Sequence, residues 1–418
     1  MSRARLAPVV LAAAATLLAA LPGTAVARDC PDEVGATNAI VVEVSTGLFA
    51  CERRADQRRP VGSAMKLMTA LLTLERADLD DTLTASDYRP APVESQIGLQ
   101  PGERMTVRDL LNGLLIESGN DAAMALAEGV AGSERAFVRL MNRRARELEL
   151  ENTQYRNPIG LDEPGAYSSA RDLVKLATVL RTKPVFRRIV NQERVTLTSG
   201  VRDREFENRN DLVLSTPWVN GVKTGHTREA GYVLVGSGRE NGIQVVSAVL
   251  GTPGERARNE DTLALLSDAV GRFQRITAAP VGTSVGVSVP IRYRRGAELG
   301  LVVGRNGERT IVPRGERDRV TIRALEYPAE VEGPIVAGQE LGTAEVLQDG
   351  ERIATVPLAA SAEVPAAGLV QRTKSWFTRP GAVVLAFGVL TGTVLLARRR
   401  RRPGGPSRQQ AREEARIA

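Results

Sequence analysis

Residues 62–76 run Gly62-Ser63-Ala64-Met65-Lys66-Leu67-Met68-Thr69-Ala70-Leu71-Leu72-Thr73-Leu74-Glu75-Arg76. From Ala64 onward the stretch is rich in Leu, Met and Ala and holds no Gly or Pro, so it reads as a buried helix over 64–76. Ser63 falls at the start of that helix, and residues three apart share a helical face, which sets the Ser63 hydroxyl beside the Lys66 amine. A free lysine titrates near about 10.4, so only about 4 in 10,000 are neutral at pH 7. Burial among apolar neighbours, or a second cation close by, lowers that value and frees the amine to act as a base. Alone, Ser-x-x-Lys is also the pattern of a serine cap followed by a solvated lysine, and it arises easily by chance.

The composition around it narrows the chemistry. The chain has a single histidine, His226. A Ser-His-Asp triad could use only that residue, and a histidine-rich zinc site cannot be assembled, so no metal or other cofactor is called for. Only five of the 56 basic residues are lysine: Lys66, Lys175, Lys183, Lys223 and Lys374. Arginine stays charged at any ordinary pH, whereas a desolvated lysine can lose its proton. The few lysines are therefore where amine chemistry belongs. The net charge of +7 is misleading, because 1–27 carries two arginines and 372–418 carries eleven basic against two acidic residues, which leaves −4 for 28–371. Basic-patch binding to nucleic acid has no support in that body.

Two further stretches bear on Ser63 and Lys66. Glu117-Ser118-Gly119-Asn120-Asp121-Ala122 lies between an expected helix over 107–116 and another over 122–130. A Ser and an Asn two apart on a Gly-containing turn can point into one cleft, although a plain turn and N-cap use the same residues. Val219-Asn220-Gly221-Val222-Lys223-Thr224-Gly225-His226-Thr227 precedes Gly231-Tyr232-Val233-Leu234-Val235-Gly236 and reads as a strand, a turn and a second strand. It offers a lysine, a hydroxyl and an open backbone along one sheet edge.

Together, in this order, Ser63-x-x-Lys66, Ser118-x-Asn120 and Lys223-Thr224-Gly225 carry the signatures of penicillin-binding proteins and serine β-lactamases. The strings ESGNDAAMALAE, NPIGLDEPGAYSSARDLVKLA and GVKTGHTREAGYVLV resemble the low-molecular-mass penicillin-binding proteins, serine-type D-alanyl-D-alanine carboxypeptidases of the S11 peptidase kind, over about residues 39–268. Gly62 and Ala64-Met65 depart from the more usual residues around the serine. The resemblance implies an α+β fold, an antiparallel sheet flanked by helices plus an all-helical lobe (β-lactamase/transpeptidase-like); the small all-β domain and the C-terminal transmembrane helix that follow it are read from the residues themselves. It implies that Ser63 attacks the carbonyl between two D-alanines and Lys66 takes its proton. Ser118 would relay a proton to the leaving amine, and Asn120 would hold Lys66 and the substrate amide. Lys223 and Thr224 would bind the terminal carboxylate of a peptidoglycan stem peptide, and the backbone N–H groups of Ser63 and His226 would form the oxyanion hole. β-Lactams would be covalent inhibitors. A D,D-endopeptidase, a serine β-lactamase and a silent peptidoglycan-binding scaffold are the alternatives. Class A lactamases also carry Glu-x-x-Leu-Asn, which residues 147–152 approach without matching.

The remaining segments are read independently. Residues 1–27 have the basic, apolar and small-residue order of a secretory signal peptide, followed by the catalytic domain over 28–275. An exported chain with two cysteines permits a Cys30–Cys51 disulfide or two separate thiols. Val285, Val287, Val289, Ile291 and Tyr293 alternate in period two, and Asn306-Gly307 and Asp349-Gly350 read as hairpin turns, so 279–360 is expected to be a β-domain of sandwich type. Residues 361–380 read as a linker. Residues 381–397 are uncharged and, at about 1.5 Å per residue, reach some 26 Å, a short membrane span. The arginines at 398–402 place the basic tail, 398–418, on the cytoplasmic side and the body outside.

Overall fold

The computed structural model describes residues 29–372, 388–389 and 391–397. The expected signal segment 1–27, residues 381–387 and 390 of the expected span 381–397, and the tail 398–418 lie outside the described residues. Among the described residues no helix is long and apolar enough to cross a membrane. Two compact units are present. One takes the chain up to Ile276 together with Thr310–Arg317, and the other takes Thr277–Arg309 and the residues from Asp318 onward.

The first unit opens with β1 (Asn38–Glu43) and β2 (Phe49–Arg53), a 3-10 turn at Gly62–Met65 and α1 (Lys66–Arg76). A ribbon of β3 (Thr82–Thr84) and β4 (Arg104–Thr106) leads into α2 (Val107–Asn112), α3 (Asn120–Ala131) and α4 (Glu134–Glu147). Next come α5 (Ala170–Arg181), α6 (Pro184–Val190), a second ribbon of β5 (Arg194–Leu197) and β6 (Arg204–Glu207), and α7 (Asp211–Ser215). The unit closes with β7 (Val219–Thr227), β8 (Gly231–Glu240), β9 (Ile243–Thr252), α8 (Glu255–Arg272) and β10 (Phe273–Thr277).

Its central sheet is antiparallel in the order β2-β1-β9-β8-β7, so chain ends meet in the middle and β7 is left at one edge. The inner strands are apolar on both faces, as a sheet covered by helices on both sides must be. Ala39, Val41, Leu234, Val245 and Val249 pack with Leu265, Leu266 and Ala269 of α8. Their alternate neighbours Ile40, Val42, Val233, Val235 and Val246 join the larger core shared with α1, α3 and α5. Cys30 and Cys51 are joined by a disulfide, which ties the segment ahead of β1 to β2.

Two expected helices differ in detail. The first begins at Lys66 and not at Ala64, because Gly62–Met65 winds more tightly as a 3-10 turn. The second does not run unbroken over 107–116: α2 stops at Asn112 and the chain widens into a π turn over Gly113–Glu117.

In the second unit a five-stranded antiparallel sheet has the order β11-β12-β16-β15-β14, from β11 (Ser284–Pro290), β12 (Glu298–Val303), β14 (Val320–Glu326), β15 (Glu340–Gln348) and β16 (Glu351–Ala360). Leu299, Leu301, Val303, Ala344, Val346 and Leu358 form its core. The expected sandwich is therefore a single sheet among the described residues, and its edge strands β11 and β14 approach each other. Asp349-Gly350 turns the chain directly from β15 into β16 with both residues at positive φ, the geometry of a two-residue hairpin. Asn306-Gly307 does not make a hairpin. The strand after it, β13 (Arg309–Pro313), pairs with β10, while Asn306 Oδ1 accepts a hydrogen bond from Val281 N and Gly307 N donates to Ala279 O. The alternation that begins at Val285 stops at Pro290, and Tyr293 sits in a turn at φ 63°.

Candidate active site

Lys66, the first residue of α1, is completely buried. The 3-10 turn ahead of it sets Ser63 Oγ 2.7 Å from Lys66 Nζ. The same nitrogen donates to Asn120 Oδ1 at 2.6 Å and to the Ile159 carbonyl at 2.8 Å. Three N–H groups on three acceptors describe an ammonium. After one proton is lost, Asn120 and Ile159 still take the two remaining N–H groups, and the lone pair faces Ser63. The Lys66 pKa is well below the ordinary lysine range, first because burial penalises its charge and then because of the Lys223 cation, while Glu94 and Asp121 push it back up.

The second wall of the cleft is the turn after the π segment. Gly119 N donates to Gly113 O at 3.0 Å, which closes the wide turn and brings Ser118 into the left-handed region at φ 70°. Such a conformation costs a non-glycine residue on the order of 1 kcal/mol and persists where the surroundings hold it. The Ser118 side chain is buried and its Oγ has no hydrogen-bond partner among the described residues. Asn120 then starts α3. Beside it, Asp121 accepts hydrogen bonds from the backbone N–H groups of Ile97, Gly98 and Leu99 and fastens that loop to α3. From the same loop, Glu94 accepts a hydrogen bond from Asn120 Nδ2 at 2.6 Å.

The third wall is the edge strand β7. Lys223 is buried and donates to the Thr224 carbonyl at 3.0 Å. Burial, followed by the charge of Arg209, lowers its pKa to about 7. Arg209 reaches both carboxylate oxygens of Glu117, the residue before Ser118. Arg258, from α8, is also buried and lies 3.6 and 3.7 Å from the carboxylates of Asp211 and Glu255. His226 is exposed at the strand's end, its ring stacked on Tyr232 at 4.1 Å. A Cβ on Gly225 would lie 2.6 Å from Val61 O, and one on Gly62 would lie 2.9 Å from His226 N. The serine turn and β7 thus meet backbone to backbone, which only glycine permits, and the backbone nitrogens of Ser63 and His226 line neighbouring walls.

Of the residues in the three motifs, Ser63, Lys66 and Asn120 are joined by hydrogen bonds, the Lys223 charge acts on Lys66, and Gly225 and the His226 backbone nitrogen lie against the serine turn. Glu94, Asp121, Arg209, Arg258 and the Ile159 carbonyl were not legible as parts of the site, because nothing in their local sequence marks them.

Residues 24–254 match the family described as D-alanyl-D-alanine carboxypeptidase, Peptidase S11. The chain belongs to that family. Residues 273–366 match the penicillin-binding protein 5 C-terminal domain. The D-alanyl-D-alanine carboxypeptidase DacF of Bacillus subtilis is 31% identical over 351 residues, covering 80% of this chain and 87% of its own. The solved penicillin-binding protein 5 of Haemophilus influenzae superposes with a TM-score of 0.58 at 27% identity, covering 81% of this chain and all (100%) of that one. The Streptomyces K15 DD-transpeptidase gives a TM-score of 0.55 at 31% identity over 58% of this chain.

Proposed function

We propose that this S11 peptidase removes the terminal D-alanine from peptidoglycan pentapeptide stems through an acyl-enzyme on Ser63. The protein is a serine D-alanyl-D-alanine carboxypeptidase. The observation that supports the residue roles is the 2.7 Å contact between Ser63 Oγ and the fully buried amine of Lys66. Lys66 takes the Ser63 proton, and the Oγ–carbon bond forms at the carbonyl between the two D-alanines. The developing oxyanion is stabilised by the backbone N–H groups of Ser63 and His226. The carbon–nitrogen bond then breaks, and the proton passes through Ser118 to the departing amine of D-alanine. Water attacks the ester in the second half and regenerates Ser63. Lys223 and Thr224 hold the terminal carboxylate, with Arg209 and Arg258 adding positive potential behind them.

β-Lactams acylate the same serine and act as covalent inhibitors. The lactamase reading is weakened by the residues at the end of α4 and just beyond it: Glu147 pairs with Arg144 and Glu149 with Lys175, so both are engaged away from Ser63. A labelled penicillin and a pentapeptide ending in D-Ala-D-Ala test the proposal together. Covalent label on Ser63 with release of D-alanine supports it. Rapid turnover of penicillin without D-alanine release would point to a lactamase, and no label at all to a silent scaffold.

We further propose export and a single C-terminal span, with the body outside and the basic tail inside, on the strength of the sequence pattern at 1–27 and 381–402. Protease added to intact cells should remove the catalytic domain and spare a tag placed after Ala418. An accessible tag rules the topology out.

A further inference from the structure

We propose that Glu94 is a positioning residue of the catalytic network: its carboxylate clamps the Asn120 amide and thereby keeps the Lys66 lone pair on Ser63. The proposal rests on the reading of Lys66 as the base.

Asn120 is gripped at both ends of its amide. Its Oδ1 accepts from Lys66 Nζ at 2.6 Å, and its Nδ2 donates to Glu94 Oε2 at 2.6 Å. The amide N and O differ chemically, so the direction of the group matters most when Lys66 is neutral. A neutral amine has a lone pair, and an Asn120 amide turned through 180° would donate its NH2 to that lone pair. The base would then be occupied by Asn120 instead of by the Ser63 hydroxyl. Glu94 removes this trap, because a turned amide would set its carbonyl oxygen against a carboxylate.

Glu94 is itself held in place. Tyr88 donates its hydroxyl to the same Oε2, and Ala91 N donates to Oε1 at 3.1 Å. Burial works to raise the Glu94 pKa, but the hydrogen bonds from Tyr88, Asn120 and Ala91, with the charge of Lys66, outweigh it and hold the carboxyl below its ordinary range. It is therefore an anion at neutral pH. Its loop is fastened to α3 by the Asp121 carboxylate.

Three charged groups face Lys66: Lys223 from β7, Glu94 from the loop and Asp121 from α3. Loss of the Glu94 charge removes one of the two anions that favour the protonated amine. The Lys66 pKa then falls, and the acid limb of acylation moves to lower pH.

The test measures second-order acylation of the full chain by a fluorescent penicillin from about pH 6 to 10, with melting temperatures alongside, for wild type, Glu94→Gln, Glu94→Ala and Tyr88→Phe. Glu94→Gln keeps an acceptor for Asn120 Nδ2 and should retain acylation within about tenfold at the plateau, with the acid limb displaced downward by about 0.5 unit or more. Glu94→Ala should lose about 10- to 100-fold at the plateau, since the amide is then free to turn. Tyr88→Phe leaves the charge in place and should keep the limb where it is. A merely structural role would lower melting temperature and active fraction without moving the limb. Undiminished plateau acylation in a folded Glu94→Ala overturns the proposal; if the alanine variant does not fold, an unmoved limb in Glu94→Gln, which would mean that the carboxylate does not act on Lys66, overturns it instead. Wild-type protein that takes no label would instead sink the Ser63–Lys66 reading and this inference with it, whereas labelled wild type with unmoved variants sinks this inference only.

Discussion

A Cβ placed on Gly160 would lie 2.2 Å from the carbonyl oxygen of Gly62. The loop that supplies the Ile159 carbonyl to Lys66 is thereby pressed directly onto the turn that carries Ser63. Gly160 also has φ 86°, in the left-handed region. An alanine there has no flexible neighbour to displace, because what it meets is backbone. Gly160→Ala should cost about 2–4 kcal/mol of stability, and any folded fraction should acylate slowly because the Lys66 acceptor has moved. Melting curves and penicillin labelling check this. Unchanged values for both would mean that the close approach is relieved at little cost.

Ser63→Ala tests the nucleophile. Removing Oγ leaves the cleft otherwise intact, so D-alanine release and penicillin acylation should both fall by roughly a thousandfold or more, as nucleophile deletions do, with little change in melting temperature. Substantial residual acylation would mean that another group attacks.

Lys66→Arg tests the base. The guanidinium keeps the charge, but its pKa above about 12 denies it a neutral form. Acylation should fall by roughly a thousandfold, as when a nucleophile loses its activating base. An arginine variant that acylates near the wild-type rate would exclude Lys66 from proton transfer.

How much of this was legible beforehand depended on where the information lies. Ser63 and Lys66 are one turn apart, and Ser118, Asn120, Lys223 and Thr224 sit in short motifs, so local spacing carried them. Glu94 meets Asn120 across 26 residues and Arg209 meets Glu117 across 92, and neither pairing leaves a local mark. The Ile159 carbonyl is backbone and has no residue signature at all. In the second unit the turn chemistry of Asn306-Gly307 suits a hairpin, yet β13 pairs with β10 and not with β12. A turn signal fixes a reversal of direction, while the choice of partner strand is settled by long-range packing. The π turn at Gly113–Glu117 is similar: its residues favour a helix, and the hydrogen bond from Gly119 N to Gly113 O that closes the wider turn has no local mark.

Lys223 offers a test through stability. Its folded-state pKa is lowered to about 7, against about 10.4 in an unfolded chain. Between those values the unfolded chain binds more protons than the folded one, so wild-type stability rises with pH across that window. Below pH 7 both states are protonated, and the full cost of the buried charge is present. Lys223→Met, of similar length and apolar, should therefore be more stable than wild type at pH 6 and lose that advantage progressively towards pH 10. Denaturant unfolding at several pH values measures it. A constant difference across the range would mean that Lys223 is not the titrating group, and the variant should in either case bind the terminal carboxylate poorly.

The only histidine separates this mechanism from a triad. His226 follows Lys223-Thr224-Gly225, its imidazole is exposed and stacked on Tyr232, and its backbone nitrogen is what lies against the serine turn. A backbone donor survives a change of side chain, whereas loss of a catalytic base costs several orders of magnitude. His226→Ser should therefore still form the acyl-enzyme, with about a 10- to 100-fold loss as the ring's contact with Tyr232 disappears and the end of β7 loosens. Its pH–rate profile should keep the limbs set by Lys66 and Lys223. Acylation by labelled penicillin across the pH range reads both quantities. Complete loss of labelling in well-folded His226→Ser would make the imidazole the base, and proton transfer through Lys66 would have to be given up.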